Sequence, residues 1–175
     1  MAADQRNSPL TPQVSIIIPA FNNLALTRQC LEAVRKTADP VPAEIIVVDN
    51  GSTDGTSAYL LQEQEAGHLQ AIINSENLGF AKACNQGARA AAGHYIVFLN
   101  NDTIAQPHWL EEMVHVAESD TNIGIVGSKL LFPDGTIQHA GVVVSASKLP
   151  YHIYRGCPGD LPAFSRQSPN HPCWV

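Results

Sequence analysis

Two acidic residues stand directly after apolar runs. Asp49 closes Ile45-Ile46-Val47-Val48, and Asp102 follows Tyr95-Ile96-Val97-Phe98-Leu99 after the pair Asn100-Asn101. Each run reads as a buried strand, and open parallel sheets bind their ligands at the carboxyl edge of the strands. Two acids brought to that edge have the chemistry of a site for a nucleotide and a divalent cation, Mg²⁺ or Mn²⁺, which take hard oxygen ligands. Read singly, the same residues have plainer uses. Asp49 before Asn50-Gly51 suits a turn, Asp102 suits a cap ahead of Pro107, and Asp54 suits a helix cap better than a ligand. Lys82 reads equally as a phosphate neutraliser and as a solvated surface charge. His139 is of a metal-ligand type, but a single histidine beside a hairpin is usually structural. Trp109 reads as a packing residue of its helix.

These residues must be carried by alternating elements. The β-branched run at 14–18 reads as a first strand and the apolar stripe Leu26, Cys30, Val34 as a helix over 24–37. A second strand spans 44–49. The polar turn 50–56 follows, in which Ser52 or Asp54 caps a helix reaching about residue 65. A third strand covers 69–74, a helix with small residues on one face covers 79–92, and a fourth strand covers 95–99. A helix over 107–118 with proline in its first turn and a strand over 123–127 complete the alternation. The fold class this predicts is α/β, a three-layer sandwich with a mostly parallel sheet. Segments 129–132 and 136–144 around Pro133-Asp134-Gly135 read as a β-hairpin. Beyond Ser145 the periodicity ends, in a stretch carrying Pro150, Pro158, Pro162, Pro169 and Pro172 and closing on Cys173-Trp174-Val175.

With 175 residues, 45% of them hydrophobic and 15% charged, the chain has a globular composition and the length to bury a real core. The net charge of −6 comes without any basic cluster, so no nucleic-acid partner is expected. An acidic protein still binds an anionic nucleotide where a metal ion and helix N-termini supply positive charge. Cys30, Cys84, Cys157 and Cys173 lack paired metal-ligand spacing and read as reduced thiols, the first two in the core. Residues 1–13 carry no apolar signal-peptide core, and no run approaches the length of a membrane span. A cytoplasmic location follows, with any membrane association peripheral, at the inner face.

On these motifs the chain resembles the family 2 glycosyltransferases of the GT-A fold, and within them the rhamnosyltransferase-like branch. The resemblance is carried by Val14-Ser15-Ile16-Ile17-Ile18-Pro19-Ala20-Phe21-Asn22 and by Ile46-Val47-Val48-Asp49-Asn50-Gly51-Ser52-Thr53-Asp54-Gly55. It continues through Asn77-Leu78-Gly79-Phe80-Ala81-Lys82-Ala83-Cys84-Asn85-Gln86-Gly87, through Phe98 to Asp102, and through Pro133 to Gly141. It implies transfer of a sugar from a nucleotide-sugar donor, UDP- or dTDP-linked, to a glycan or lipid-linked acceptor by metal-assisted inverting displacement, in polysaccharide or cell-wall synthesis. It assigns Pro19, Ala20 and Asn22 to the loop around the nucleoside and Asp49 to the base. Asn100-Asn101-Asp102 stands at the family's DXD motif, with Asp102 as metal ligand and asparagine in place of the first acid, which implies modest metal affinity. The family's catalytic base, an Asp in a Glu-Asp motif, has no match after Asp102; Asp120, Asp134 and Asp160 lack that context, so no catalytic residue is assigned.

The expected organisation is a flexible tail at 1–13, a nucleotide-sugar-binding domain at 14–145 and an irregular stretch at 146–175 that begins a missing acceptor side. The chain thus reads as truncated at its C-terminus. Apolar surface exposed in this way would favour self-association, as a homodimer. A nucleotide-sugar-binding module without activity is the alternative reading. A doubly wound oxidoreductase is disfavoured because no glycine-rich turn follows the first strand.

Overall fold

The structure, a computed structural model, describes residues 11–38, 40–146 and 148–161. The tail up to residue 10 and the segment with Cys173 and Trp174 lie outside the described residues. The chain divides into two compact units, Met1–His108 and Trp109–Val175, a boundary that falls inside the 14–145 stretch of the sequence reading.

The first unit is a parallel sheet clad by helices. Strands β1 (Val14–Ala20), β2 (Ala43–Asp49), β3 (Gln70–Ile73) and β4 (Tyr95–Phe98) run in the order β3-β2-β1-β4. Every residue of β1 is buried, as a central strand covered on both faces requires. Ala20 pairs with Asp49 and Ile17 with Phe98, so the ends of β2 and β4 flank the end of β1.

Helices α1 (Leu24–Thr37), α2 (Thr56–Glu65) and α3 (Phe80–Ala90) connect the strands. Right-handed crossovers fix their faces. The chain steps one way from β1 to β2 to β3, which puts α1 and α2 on one face, and then back across to β4, which puts α3 on the other. Side chains agree with this. Arg35 of α1 reaches Glu63 of α2 at 2.6 Å, and Arg28 lies 4.4 Å from the centre of the Tyr59 ring. Gly87 of α3 sits so close to β1 that a Cβ there would lie 2.4 Å from Ile17 Cγ2. α1 buries Thr27, Cys30, Leu31 and Val34, the single stripe of an amphipathic helix.

At the amino edge a polar cluster built on a buried serine ties the sheet together. Ser15, fully buried, donates to Glu44 Oε1 at 2.5 Å, and the same oxygen accepts from the Ala92 amide at 2.7 Å. The Gly93 amide donates to Ser15 Oγ, and a Cβ on Gly93 would meet the Ser15 backbone at 2.6 Å.

In the second unit, α4 (Trp109–Ser119) carries Glu111 and Glu112 in its first turn, the favourable end for acids. Three sequence expectations are corrected here. Residues 123–127 form no strand: two glycines interrupt the run, Ile125 is 80% exposed, and no ladder partner stands beside it among the described residues. The hairpin's second arm is not continuous over 136–144. Gly141, at φ 128°, separates β6 (Ile137–His139) from β7 (Val142–Val144), and only β6 pairs with β5 (Leu130–Leu131). Strand β7 pairs instead with β8 (Pro150–His152), inside the stretch expected to be irregular. The turn itself forms as read: Gly135 takes φ 82° and Asp134 accepts from the Thr136 amide at 2.9 Å.

Candidate functional site

The direction of chain travel reverses at β1, so a crevice opens between the carboxyl ends of β1 and β4, the topological switch point of an open sheet. A cavity of about 280 Å³ lies there. Pro19, Ala20 and Phe21 line it from β1, and Asn100, Asn101 and Asp102 from the loop after β4. Asn50 closes it below β2, while Asn77 and Phe80 approach from the start of α3. Phe21 and Phe80 leave 45% and 61% of their surface exposed, so the polar floor has an aromatic rim.

An amide network builds that floor. Asn50, only 4% exposed, donates through Nδ2 to Asn77 Oδ1 at 2.8 Å, and its Oδ1 accepts from the Leu78 amide at 3.0 Å and from Asn74 Nδ2 at 3.2 Å. Asn74 and Gln86 exchange two hydrogen bonds of 2.8 Å. The network holds the β3–α3 loop against the end of β2, and the fit leaves room only for glycine at 51. That residue adopts φ 82°, and a Cβ would lie 2.7 Å from the Glu76 carbonyl carbon. The sequence reading missed Asn50, Asn74, Asn77 and Gln86 as a group. Their signal was the crowding of amides at two consecutive strand ends.

The β1–α1 and β2–α2 loops are tied to one another. Asn22 and Asn23 both adopt left-handed φ, 57° and 60°, which asparagine tolerates better than most residues. Asn22 donates its amide to Ser52 Oγ at 2.7 Å and accepts the Thr53 amide on Oδ1 at 2.9 Å. Asp54 serves two helices: Oδ2 accepts the Leu24 amide at 2.9 Å, and Oδ1 accepts the Thr56 amide at 3.2 Å and its hydroxyl at 2.6 Å. The Thr56 hydroxyl and the Leu24 amide hold the Asp54 carboxyl below its ordinary range. Neither residue expected to cap α2 does so: the N-cap position is Gly55, at φ 93° and without a side-chain cap, while Asp54 accepts from Thr56 and the Ser52 hydroxyl is engaged elsewhere.

The sequence-derived residues are placed as follows. Pro19, Ala20, Asn100, Asn101 and Asp102 meet in the cavity wall. Asn22, Asp49 and Lys82 do not line it. Asn22 braces the two loops. Asp49 is at the same sheet edge but wholly buried, its carboxylate accepting from the Ser52 amide at 3.1 Å and from the hydroxyls of Ser52 and Ser57. Lys82 is exposed on the first turn of α3. The Asn100–Asn101 segment is moored to α1, with Asn101 Nδ2 donating to Thr27 Oγ1 at 3.0 Å and the Cys30 thiol reaching the Asn100 carbonyl at 3.5 Å. Burial, reinforced by the Asp102 charge, pushes the Cys30 thiol up to about 11, which leaves it an inert core residue.

No Lys or Arg among the described residues lines the cavity, and Asp102 is the one charged residue in its wall. Among the described residues no group of three His, Cys, Asp or Glu gathers into a cage. One exposed carboxylate beside asparagine carbonyls is an all-oxygen set that suits Mg²⁺ or Mn²⁺, ions held by one or two carboxylates together with a substrate's phosphates. A larger groove, about 650 Å³, runs along Pro42–Ile45 and Gly67–Gln70 at the amino edge of β2 and β3. Its cation Arg35 is already paired with Glu63, and a parallel sheet binds ligands at the opposite edge.

The family described as Glycosyl transferase family 2 matches residues 15–142, from β1 to the start of β7. The chain belongs to glycosyl transferase family 2. The O-antigen biosynthesis protein RfbC of Myxococcus xanthus is 34% identical over 145 residues, which are 82% of this chain and 11% of that protein. Glycosyltransferase AglE of Haloferax volcanii is 36% identical over 128 residues, 71% of this chain and 42% of that protein. The mannosyltransferase PcManGT of Pyrobaculum calidifontis, solved in complex with GDP-Man and Mn²⁺, superposes with a TM-score of 0.62 at 28% identity, over 70% of this chain and 36% of that one. The GT-A fold of the family 2 enzymes is therefore the fold of this chain, which spans less than half the length of each of these relatives. Among the described residues no helix is long and apolar enough to cross a membrane.

Proposed function

We propose that this family 2 chain forms the donor side of a glycosyltransferase that moves a sugar from a nucleotide-sugar to a glycan or lipid-linked acceptor, with inversion at the sugar carbon. The observation that carries the reading is the cavity at the switch point, whose wall holds Asp102 and no cationic side chain. A nucleotide diphosphate brought there meets no Lys or Arg among the described residues of the cavity wall, so a divalent cation held by Asp102 would be the natural counter-charge. Such a cation would supply Lewis-acid stabilisation of the departing diphosphate. PcManGT, with GDP-Man and Mn²⁺ bound, supports the same chemistry by likeness.

The chain's own residues then have distinct tasks. Asp102 would hold the cation, and Asn100 and Asn101 would offer neutral carbonyls beside it. Pro19 and Ala20 form the wall around the nucleoside, which Asn22 steadies by fixing the loop that follows. Asp49, wholly buried and held by Ser52 and Ser57, fixes the β2–α2 turn behind the nucleoside wall. Lys82, on the first turn of α3, is the chain's candidate for drawing a phosphate towards that helix. In the transfer itself an acceptor hydroxyl oxygen attacks the anomeric carbon as the bond to the diphosphate oxygen breaks, and the hydroxyl proton must pass to a base. Asp120 and Asp134 are engaged in local turns with Asn122 and Thr136, which favours the reading that this chain supplies donor binding and not the base.

The test is a titration of UDP-, dTDP- and GDP-sugars into the chain with and without Mn²⁺, repeated on Asp102→Ala. Metal-dependent binding lost in the variant is the expected result; binding indifferent to both metal and Asp102 overturns the proposal. With acceptors added, this chain alone is expected to give no transfer.

A further inference from the structure

Strands β6 and β8 belong to different two-stranded sheets, yet they bring His139 and His152 together. The two Nδ1 atoms lie 2.7 Å apart, and the rings stand nearly perpendicular at 85° with centroids 4.8 Å apart. In such a contact one Nδ1 donates a proton and the other accepts it, so the two ring nitrogens face one another. Neither residue takes part in the donor site described above.

The spacing selects among metals. Imidazole nitrogens bind divalent transition metals at about 2.0–2.1 Å. Two nitrogens separated by 2.7 Å would then subtend about 82° at the ion, close to the roughly 90° between cis positions of a tetragonal or octahedral centre. Reaching that angle needs a separation of about 2.9 Å, whereas the tetrahedral angle of a zinc site needs about 3.3 Å. We infer that His139 and His152 form a cis bis-imidazole site for a divalent transition metal of tetragonal preference, Cu²⁺ or Ni²⁺, in place of the proton they share. On binding, the proton that the donor ring held on Nδ1 moves to its own Nε2, so two neutral Nε2–H imidazoles face the ion without net proton release. Among the described residues no third His, Cys, Asp or Glu joins them, so solvent fills the other positions and the affinity is that of two imidazoles. The ion would join β6 to β8, two strands that share no ladder.

The experiment titrates Cu²⁺, Ni²⁺ and Zn²⁺ separately into the chain by calorimetry. An electron paramagnetic resonance spectrum at equimolar Cu²⁺ counts the bound nitrogens. One site per chain is expected, with two nitrogens in the Cu²⁺ spectrum, Ni²⁺ bound more tightly than Zn²⁺, and affinity reduced at least tenfold in His139→Gln and in His152→Gln. Copper bound equally well by the variants, or a wild-type spectrum with other than two nitrogens, overturns the proposal, as does Zn²⁺ binding more tightly than Ni²⁺. The wild-type spectrum decides the matter even where a variant fails to fold. The site is independent of sugar transfer, and loss of donor binding in Asp102→Ala leaves it untouched.

Discussion

Asp49 and Asp102 follow β2 and β4, at one edge of one sheet, and their surroundings separate them completely. Asp49 is buried and engaged by Ser52 and Ser57, so removing it strands half-buried donors; Asp102 is exposed and accepts no hydrogen bond among the described residues. Asp49→Ala is therefore expected to cost about 1–3 kcal/mol, the usual penalty for orphaned buried polar groups, as a lower urea midpoint at unchanged slope. Asp102→Ala should leave that midpoint in place while abolishing the metal-dependent part of donor binding. If the two variants shift stability equally, the division of roles between the acids is wrong. Both residues were visible in the sequence as acids after apolar runs. Their different fates were not, because the hydroxyls that claim Asp49 come from a turn and a helix whose approach only folding arranges.

At the level of elements, close approach rather than propensity sets the tolerances. Gly87 lets α3 lie against Ile17, so Gly87→Ala should overpack that interface despite the better helix propensity of alanine. A loss of about 1–3 kcal/mol is expected in chemical denaturation; a stabilised variant would show that helix and sheet part without cost. Gly51→Ala meets both a positive φ and the Glu76 backbone, so it should displace the β3–α3 loop that carries Asn77. Weaker nucleotide binding together with a lower melting temperature is the expected outcome, and unchanged binding would separate that loop from the site. The small residues along α3 were legible as one face of a helix. The failure of 123–127 to become a strand was not, since an apolar run becomes a strand only where a neighbour offers a ladder.

Across the whole molecule, carboxylates held by turn hydrogen bonds contribute to the acid limb of stability. Asp54 and Asp134 are both held below the usual 3.8 by hydrogen bonds from Thr56 and Thr136 respectively. A carboxyl with a lowered folded-state value stabilises the fold above its ordinary value and loses that contribution as pH falls through the lowered one. Melting temperature should thus hold steady down to about pH 4 with respect to these two groups and drop below it, and Asp54→Asn should soften the drop. An acid limb identical in the variant would remove Asp54 as its cause. Much of the architecture behind this was legible. Apolar β-branched runs alternating with helical stripes determine a parallel α/β layering, and polar residues placed just after each run determine which sheet edge meets a ligand. Those are local periodicities, and a sequence displays them directly. Strand order is not local. It depends on the direction of each crossover and on which faces pack, and only folding to β3-β2-β1-β4 sets Asn100–Asp102 beside Pro19–Phe21 and hangs Asn77 from Asn50, just as only the separate pairings β5-β6 and β7-β8 turn His139 towards His152.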